Sequence, residues 1–217
     1  MIDWPRRGLY LITPDDEDTE RLAGRLARAL EGGPALVQYR SKLRSAALRR
    51  EQAGRVAELC RRVGVPLIIN DSLELALEVE ADGVHLGRDD GDVVRARRRL
   101  GARSILGVSC YDEWDRAERG WEAGADYVAF GAMFPSLTKP EAVRAPMALL
   151  GHRRPISTSV VAAIGGITLE RGPQLIAAGA DLLAVIGDVF DAPDPGARVA
   201  AWRALFDRTA NGPARVS

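Results

Sequence analysis

Eight short apolar segments recur along the chain, and each is rich in Val, Ile, Leu or Tyr. Their hydrophobicity is nearly continuous, which is typical of strands that are covered on both faces of a parallel sheet. The pattern predicts strands at residues 8–13, 35–39, 66–69, 83–86, 104–107, 127–130, 160–164 and 182–186.

Segments with helical periodicity separate these strands. In residues 19–31, apolar positions such as Leu22 and Leu26 share one face, and arginines lie opposite. Further amphipathic helices are predicted at residues 46–63, 73–79, 92–100, 113–122, 169–178 and 196–207. The helix expected after the sixth strand is the least regular, because Pro140 and Pro146 interrupt it.

This alternation of strands and helices predicts an α/β fold with right-handed crossovers. Eight strand–helix units in one domain, residues 1–210, favour a (β/α)8 TIM barrel over the alternative of an open, doubly wound sheet. An aspartate follows a small-residue turn before three of the strands, at Asp82, Asp126 and Asp181. Residues 211–217 are expected to form a frayed tail.

The amino-acid composition limits the classes of function that are possible for this protein. Of 217 residues, 47% are hydrophobic and 28% charged, which is enough apolar matter for a core. Lys plus Arg equals Asp plus Glu at 30 each, which argues against a nucleic acid or an anionic membrane as partner but allows a small cationic pocket. No membrane span or signal peptide is expected, and Cys60 and Cys110 are predicted to be buried free thiols in a cytoplasmic protein.

The second strand ends in alternating polar residues. Gln38, Arg40 and Lys42 recur at period two, so their side chains can point the same way. Two cations and an amide that converge suit a phosphorylated anion. The alternative is a solvated basic loop.

Acidic residues follow the next two strands. Asn70-Asp71 ends the third strand, and Asp89-Asp90 follows the fourth. Adjacent parallel strands would bring these carboxylates close together, and hard oxygen ligands suit Mg²⁺, which also keeps waters and takes substrate phosphates. The alternative is that Asp71 and Asp90 cap the helices that follow.

The remaining strand exits add fewer signals. His85 is expected to be a hydrogen-bonded core histidine and His152 an exposed one. Residues 132–139 combine hydroxyls, a lysine and apolar bulk, as a lid over a ligand would. Gly165-Gly166 and the Ile186-Gly187 turn predict a phosphate site after strands seven and eight, although glycine also serves ordinary turns.

Taken in order, these motifs resemble the thiamine-phosphate synthase family from about residue 8 to residue 206. The motifs that carry the resemblance are Gln38-x-Arg40-x-Lys42, Asn70-Asp71, Gly83-Val84-His85-Leu86-Gly87-x-Asp89-Asp90, Gly107-x-Ser109, Gly131-x-x-Phe134-Pro135-x-x-Thr138-Lys139 and Ile164-Gly165-Gly166-Ile167. Each motif alone has little specificity for the family, but the occurrence of all of them in this order on successive strand exits is highly specific.

The resemblance implies a transferase that joins hydroxymethylpyrimidine diphosphate to thiazole phosphate and releases pyrophosphate. It implies that the pyrimidine diphosphate contacts Gln38, Arg40, Lys42, Asn70, Ser109 and Lys139, of which Arg40, Lys42, Lys139 and Ser109 serve catalysis. It further implies one Mg²⁺ per subunit on Asp71 and Asp90, and a thiazole phosphate site at Ser136, Leu137, Thr138, Gly166, Ile186 and Gly187. Gly187 replaces a frequent Ser of the family, so one side-chain contact to that phosphate is missing.

Two rival functions remain at this point. A related barrel that isomerises the thiazole precursor would not need the full set of Arg40, Lys42, Asp71, Asp90 and Lys139, all of which are present. A non-catalytic barrel that binds thiamine precursors would show no turnover. Small-molecule substrates are the expected partners, and the sequence leaves an oligomeric state open.

Overall fold

The computed structural model describes residues 4–135, 143–152 and 160–210. Eight parallel strands form a closed barrel in chain order, in which β8 also pairs with β1. The strands are β1 Gly8–Ile12, β2 Leu36–Tyr39, β3 Leu67–Asn70, β4 Gly83–Leu86, β5 Ile105–Tyr111, β6 Tyr127–Phe130, β7 Val160–Ile164 and β8 Leu182–Val185. The predicted (β/α)8 barrel is confirmed, and the open sheet is excluded.

Helices surround this barrel in the described parts of the chain. They are α1 Thr19–Glu31, α2 Ala46–Val63, α3 Leu73–Glu78, α4 Val93–Leu100, α5 Trp114–Glu122, α6 Gly172–Ala178, α7 Gly187–Phe190 and α8 Pro195–Ala210. The bounds predicted for α1 and α2 are confirmed. Local chemistry explains both, because Asp18 and Ser45 accept hydrogen bonds from the first-turn amides, and Gly64 ends α2 in a left-handed conformation.

Three predicted elements differ most clearly from the structure, and several other bounds shift by one to three residues. The helix predicted from residue 169 begins only at Gly172, next to a proline in its first turn. In the connection between β6 and β7, the described residues contain a 3-10 helix, Met147–Gly151, instead of an α-helix. Strand β5 continues to Tyr111, beyond the predicted end at residue 107, and this extension places Ser109 within the strand.

The apolar residues divide between two cores. The larger core lies between the strands and the surrounding helices and includes Leu26, Val56 and Trp202. The second fills the barrel interior, where Trp4 packs 6.2 Å from the ring of Tyr127. A Cβ at Gly107 would lie 2.0 Å from Cζ of Tyr127, so this glycine makes room for the tyrosine ring.

The three aspartates that precede strands fasten the amino-terminal end of the barrel. Side-chain oxygens of Asp82, Asp126 and Asp181 accept hydrogen bonds from backbone amides of the preceding strand, at 2.8 to 2.9 Å. The amide donors are Leu67, Leu106 and Val161. Each carboxylate therefore satisfies a backbone group at the base of a strand, which explains the repeated aspartate in the sequence.

Replacing Asp126 by alanine is expected to destabilise the barrel without altering catalysis. The substitution removes the bond to Leu106 N (2.8 Å) and the ion pair with Arg97 (2.5 Å). We expect the free energy of unfolding to fall by about 2 kcal/mol, as for other hydrogen bonds to a charged group. Urea unfolding measures this loss, with Asp207→Ala on the exposed face of α8 as the control. Equal stability of the two variants would contradict the fastening role.

Both cysteines are buried and free, as predicted. Burial raises the pKa of the Cys60 and Cys110 thiols to about 12. Neither thiol is therefore a nucleophile at neutral pH. No helix in the described ranges is long and apolar enough to cross a bilayer. The predicted frayed tail, residues 211–217, lies outside the described residues.

Candidate active site

The described candidate residues share one rim of the barrel. Because all eight strands are parallel, their carboxyl ends lie at the same end, where (β/α)8 enzymes carry their active sites. This rim holds Gln38, Arg40, Lys42, Asn70, Asp71, Asp90, Ser109, Gly166, Ile186 and Gly187. The candidates Ser136, Leu137, Thr138 and Lys139, which make up half of the predicted lid, lie outside the described residues.

The exit of β2 combines cations with a buried amide. Gln38 is only 3% exposed and lies inside the barrel, whereas the Arg40 side chain is 11% exposed and Lys42 is exposed. Gln38 therefore lies deeper in the barrel mouth than the two cations. This order of depth argues against a wholly solvated basic loop and suits a ligand that carries its negative charge at the outer end.

Asp15, which the sequence analysis missed, holds this exit from the side of β1. Its carboxylate lies 3.8 Å from Arg40 Nη1 and accepts a 2.7 Å hydrogen bond from the backbone amide of Lys42. Thr13, which is fully buried, accepts a 3.0 Å hydrogen bond from the Arg40 amide. Asp15 thus offsets the charge of Arg40 and binds the backbone of Lys42, whose ammonium adds a second positive charge to this exit. No local sequence pattern marks Asp15, because its partners Arg40 and Lys42 follow the next strand, β2.

The acidic residues at β3 and β4 do not cap helices. Ser72 caps α3 through the Leu75 amide, and Asp92 caps α4 through the Arg95 amide. The alternative that Asp71 and Asp90 serve as the caps is therefore wrong.

The local geometry of the two acids is nevertheless well defined. Asp71 adopts a left-handed conformation with φ 64°, which is unusual for a residue other than glycine, and its amide donates to the His85 carbonyl at 2.8 Å. One oxygen of Asp90 accepts a 2.8 Å bond from the Gly87 amide. The two carboxylates follow adjacent strands, since Asn70 pairs with His85 in the β3–β4 ladder.

The carboxylates of Asp71 and Asp90 are ligands of the chemical type that Mg²⁺ prefers. Among the described residues, no group of three or more His, Cys, Asp or Glu side chains could hold a metal ion. Two carboxylates and no soft ligand match a hard cation that keeps waters and takes phosphate oxygens as further ligands. Mg²⁺ at Asp71 and Asp90 stays a prediction.

A hydrogen-bonded network crosses the barrel interior beneath the rim. We call Gln38, Tyr10, Tyr127, His85 and Ser109 the interior network. Successive members lie 2.6, 2.6, 2.9 and 2.8 Å apart. Burial raises the pKa of both phenols, so Tyr10 and Tyr127 keep their protons at neutral pH. His85 is a hydrogen-bonded core histidine, and His152 is exposed, both as predicted.

The loops after β6 and β7 pack tightly on each other. Backbone amides of Met133 and Phe134 donate to the carbonyls of Ile164 and Gly165, at 2.9 and 3.0 Å. A Cβ at Gly166 would lie 2.3 Å from the Pro135 carbonyl oxygen. This close approach gives a reason for the glycine besides any ligand.

The turn after β8 is anchored by a buried carboxylate. Helix α7, which the sequence analysis missed, begins at Gly187. Asp188 accepts hydrogen bonds from the Arg198 guanidinium (2.6 and 2.9 Å) and from the indole N–H of Trp202 (2.8 Å). The Ile186-Gly187 turn is thereby fixed against α8.

A closed barrel of eight parallel strands with surrounding helices places the protein in the (β/α)8 barrel class. A family model described as thiamine monophosphate synthase matches residues 9–189. A thiamine-phosphate synthase of Aromatoleum aromaticum is 65% identical over 207 residues, covering 95% of this chain and 100% of that protein. Another from Azoarcus sp. is 59% identical over 200 residues, covering 92% and 97%.

A solved structure supports the same grouping. A thiamine phosphate pyrophosphorylase from Pyrococcus furiosus superposes with a TM-score of 0.80 at 27% identity, covering 94% of this chain and 97% of that one. The chain belongs to the thiamine monophosphate synthase family. The family resemblance drawn from the motifs is confirmed, and the enzyme is a transferase that acts on small molecules.

Proposed function

We propose that the protein joins 4-amino-2-methyl-5-hydroxymethylpyrimidine diphosphate to thiazole phosphate, giving thiamine phosphate and pyrophosphate. The observation that carries this proposal is the 65% identity, over 95% of the chain, to a relative named thiamine-phosphate synthase. The cationic and acidic strand exits at one rim support it, because a diphosphate needs both cations and a metal-binding set. The phosphorylated substrates make the cytoplasm the proposed compartment.

The proposed reaction needs no side-chain nucleophile. The bond between the substrate methylene and its diphosphate oxygen breaks, and both electrons leave with the pyrophosphate. The aminopyrimidine ring carries the resulting positive charge. The thiazole nitrogen then forms the new C–N bond with its lone pair and keeps the positive charge as a thiazolium. Positioning the substrates and stabilising the leaving group therefore account for most of the catalysis.

Each side chain has a proposed task. Arg40 and Lys42 bind the diphosphate at the outer part of the mouth, and Lys139 joins them. Asn70 contacts the same substrate, and Gln38 and Ser109 bind the pyrimidine ring inside the barrel. Excluding water matters, because water would compete for the cationic ring.

Asp71 and Asp90 would hold Mg²⁺. When bound, the ion would neutralise charge on the diphosphate. The thiazole phosphate is proposed to bind at the Gly166 and Ile186-Gly187 backbone, together with Ser136, Leu137 and Thr138. The anchoring of Asp188 by Arg198 and Trp202 supports this site, because it gives the turn after β8 a fixed shape.

Pyrophosphate release tests the proposed function. Both substrates are mixed with the protein and Mg²⁺, and thiamine phosphate and pyrophosphate are measured together. Equimolar formation of the two products is expected. Omitting the thiazole phosphate serves as the control for plain hydrolysis. Binding of both substrates without turnover would instead favour a non-catalytic precursor-binding barrel, and conversion of a thiazole isomer would favour the isomerase.

A further inference from the structure

The direction of hydrogen-bond donation in the interior network can be inferred from its Gln38 end. The Gln38 amide nitrogen Nε2 can only donate, so the Tyr10 oxygen accepts at 2.6 Å. Tyr10 is fully buried, and its own proton needs an acceptor, which is the Tyr127 oxygen at 2.6 Å. One of the two Gln38 amide protons and the Tyr10 hydroxyl proton then each have an acceptor.

The second half of the interior network continues in the same direction. Because the Tyr127 oxygen accepts the Tyr10 proton, the Tyr127 hydroxyl donates its own proton to Nδ1 of His85 at 2.9 Å. A histidine that accepts at Nδ1 is neutral and carries its proton on Nε2. That proton goes to Ser109 Oγ at 2.8 Å. Ser109 is thus an acceptor toward His85 and keeps its own hydroxyl proton for another partner.

We propose that Tyr10, Tyr127 and His85 are positioning residues that fix the hydrogen-bonding polarity of the substrate pocket. They make Gln38 present its carbonyl oxygen as an acceptor, and they make Ser109 present its hydroxyl as a donor. This inference rests on the proposed function, because it concerns the part of the site that takes the pyrimidine ring.

The polarity matches one class of heteroaromatic ring. An aminopyrimidine offers an exocyclic N–H donor beside a ring nitrogen acceptor, which complements a carbonyl on one side and a hydroxyl donor on the other. A 4-oxopyrimidine has the opposite pattern, with a carbonyl acceptor beside a ring N–H. The interior network would therefore select the amino ring over the oxo ring. If the interior network is broken, the Gln38 side-chain amide can rotate by 180° and present either its oxygen or its nitrogen. The pocket can then bind either ring.

The test compares binding of two stable ligands, thiamine phosphate and its 4-oxo analogue, oxythiamine phosphate. Isothermal titration calorimetry gives both dissociation constants for the wild type, Tyr10→Phe and Tyr127→Phe. The wild type is expected to prefer the amino ligand by roughly 10-fold to 100-fold, the effect of one or two mismatched buried hydrogen bonds. Both variants are expected to reduce this preference to about threefold or less, because the amide is no longer held.

Tyr39→Phe is the matched control. Tyr39 lies on the same strand as Gln38 and is equally buried, but its hydroxyl donates to Gln52 at 2.9 Å in the outer core. The control loses a comparable buried phenol–amide hydrogen bond and should keep the full preference for the amino ligand. Melting temperatures of the three variants show whether each one is folded. Two network variants are tested so that the comparison still holds if one of them does not fold.

The inference and the proposed function fail in different ways. Two results would overturn the inference, even if pyrophosphate release is normal. The wild type could bind both ligands equally well, or both network variants could keep the full preference for the amino ligand, as Tyr39→Phe does. Absence of pyrophosphate release from the wild type counts against the proposed function. The ratio of the two dissociation constants still decides the inference in that case, because it needs no turnover.

Discussion

Asp90→Asn is expected to lower Mg²⁺-dependent turnover by on the order of 100-fold, because it removes one of the two proposed anionic ligands of the ion. Asparagine keeps the side-chain shape and an oxygen that can accept from the Gly87 amide, so the turn after β4 should remain intact. The measurement is the initial rate of pyrophosphate release as a function of Mg²⁺ concentration. Asp71→Asn should behave in the same way.

Asp92→Asn is the control for this prediction. Asp92 lies two residues further along the chain and undergoes the same change from carboxylate to amide. It caps α4, and asparagine caps a helix about as well as aspartate. The control should keep the wild-type dependence on Mg²⁺. A wild-type dependence in both Asp71→Asn and Asp90→Asn would refute the metal assignment.

Arg40→Gln is expected to reduce kcat/KM for the pyrimidine diphosphate by roughly 100-fold to 1,000-fold, as when one preorganised donor to a developing charge is lost. The Arg40 side chain is 11% exposed, so in the proposed role it would act on the leaving group with little screening by solvent. Its partner Asp15 is 41% exposed and can be solvated once the arginine is gone, so the barrel should still fold.

Arg44→Gln provides the comparison for Arg40→Gln. Arg44 is an exposed residue in the loop after Lys42, and its substitution changes the net charge by the same amount. Steady-state kinetics with varied pyrimidine diphosphate at saturating thiazole phosphate separates the two variants. Similar kcat/KM values for both would show that only the overall charge of the loop matters, and not the guanidinium at the barrel mouth.

Most of the barrel could be predicted because its strands are buried on both faces. Continuous apolar segments such as Tyr127–Phe130 then mark the strands, and polar caps such as Asp18 mark where helices begin. Helix α7 was missed because four residues are too few for a periodic pattern. The end of β5 was missed because Ser109 interrupts the apolar run while still belonging to the ladder with β6.

The site was predictable only where its chemistry is local in sequence. Gln38, Arg40 and Lys42 share one short segment, so their alternation is visible without a structure. The Tyr10–Tyr127 contact joins residues 117 positions apart, and each tyrosine alone is an ordinary strand residue. Such long-range pairs follow from barrel closure, which no local pattern encodes.

The three aspartates at the amino-terminal end of the barrel have a consequence for redesign of this protein. Asp82, Asp126 and Asp181 precede β4, β6 and β8, and each binds the strand before it. Three adjacent strand pairs, β3–β4, β5–β6 and β7–β8, are thus joined by side chains at the end opposite to the candidate active site. Loops grafted onto the carboxyl-terminal end, for new substrates, would therefore leave these bonds untouched.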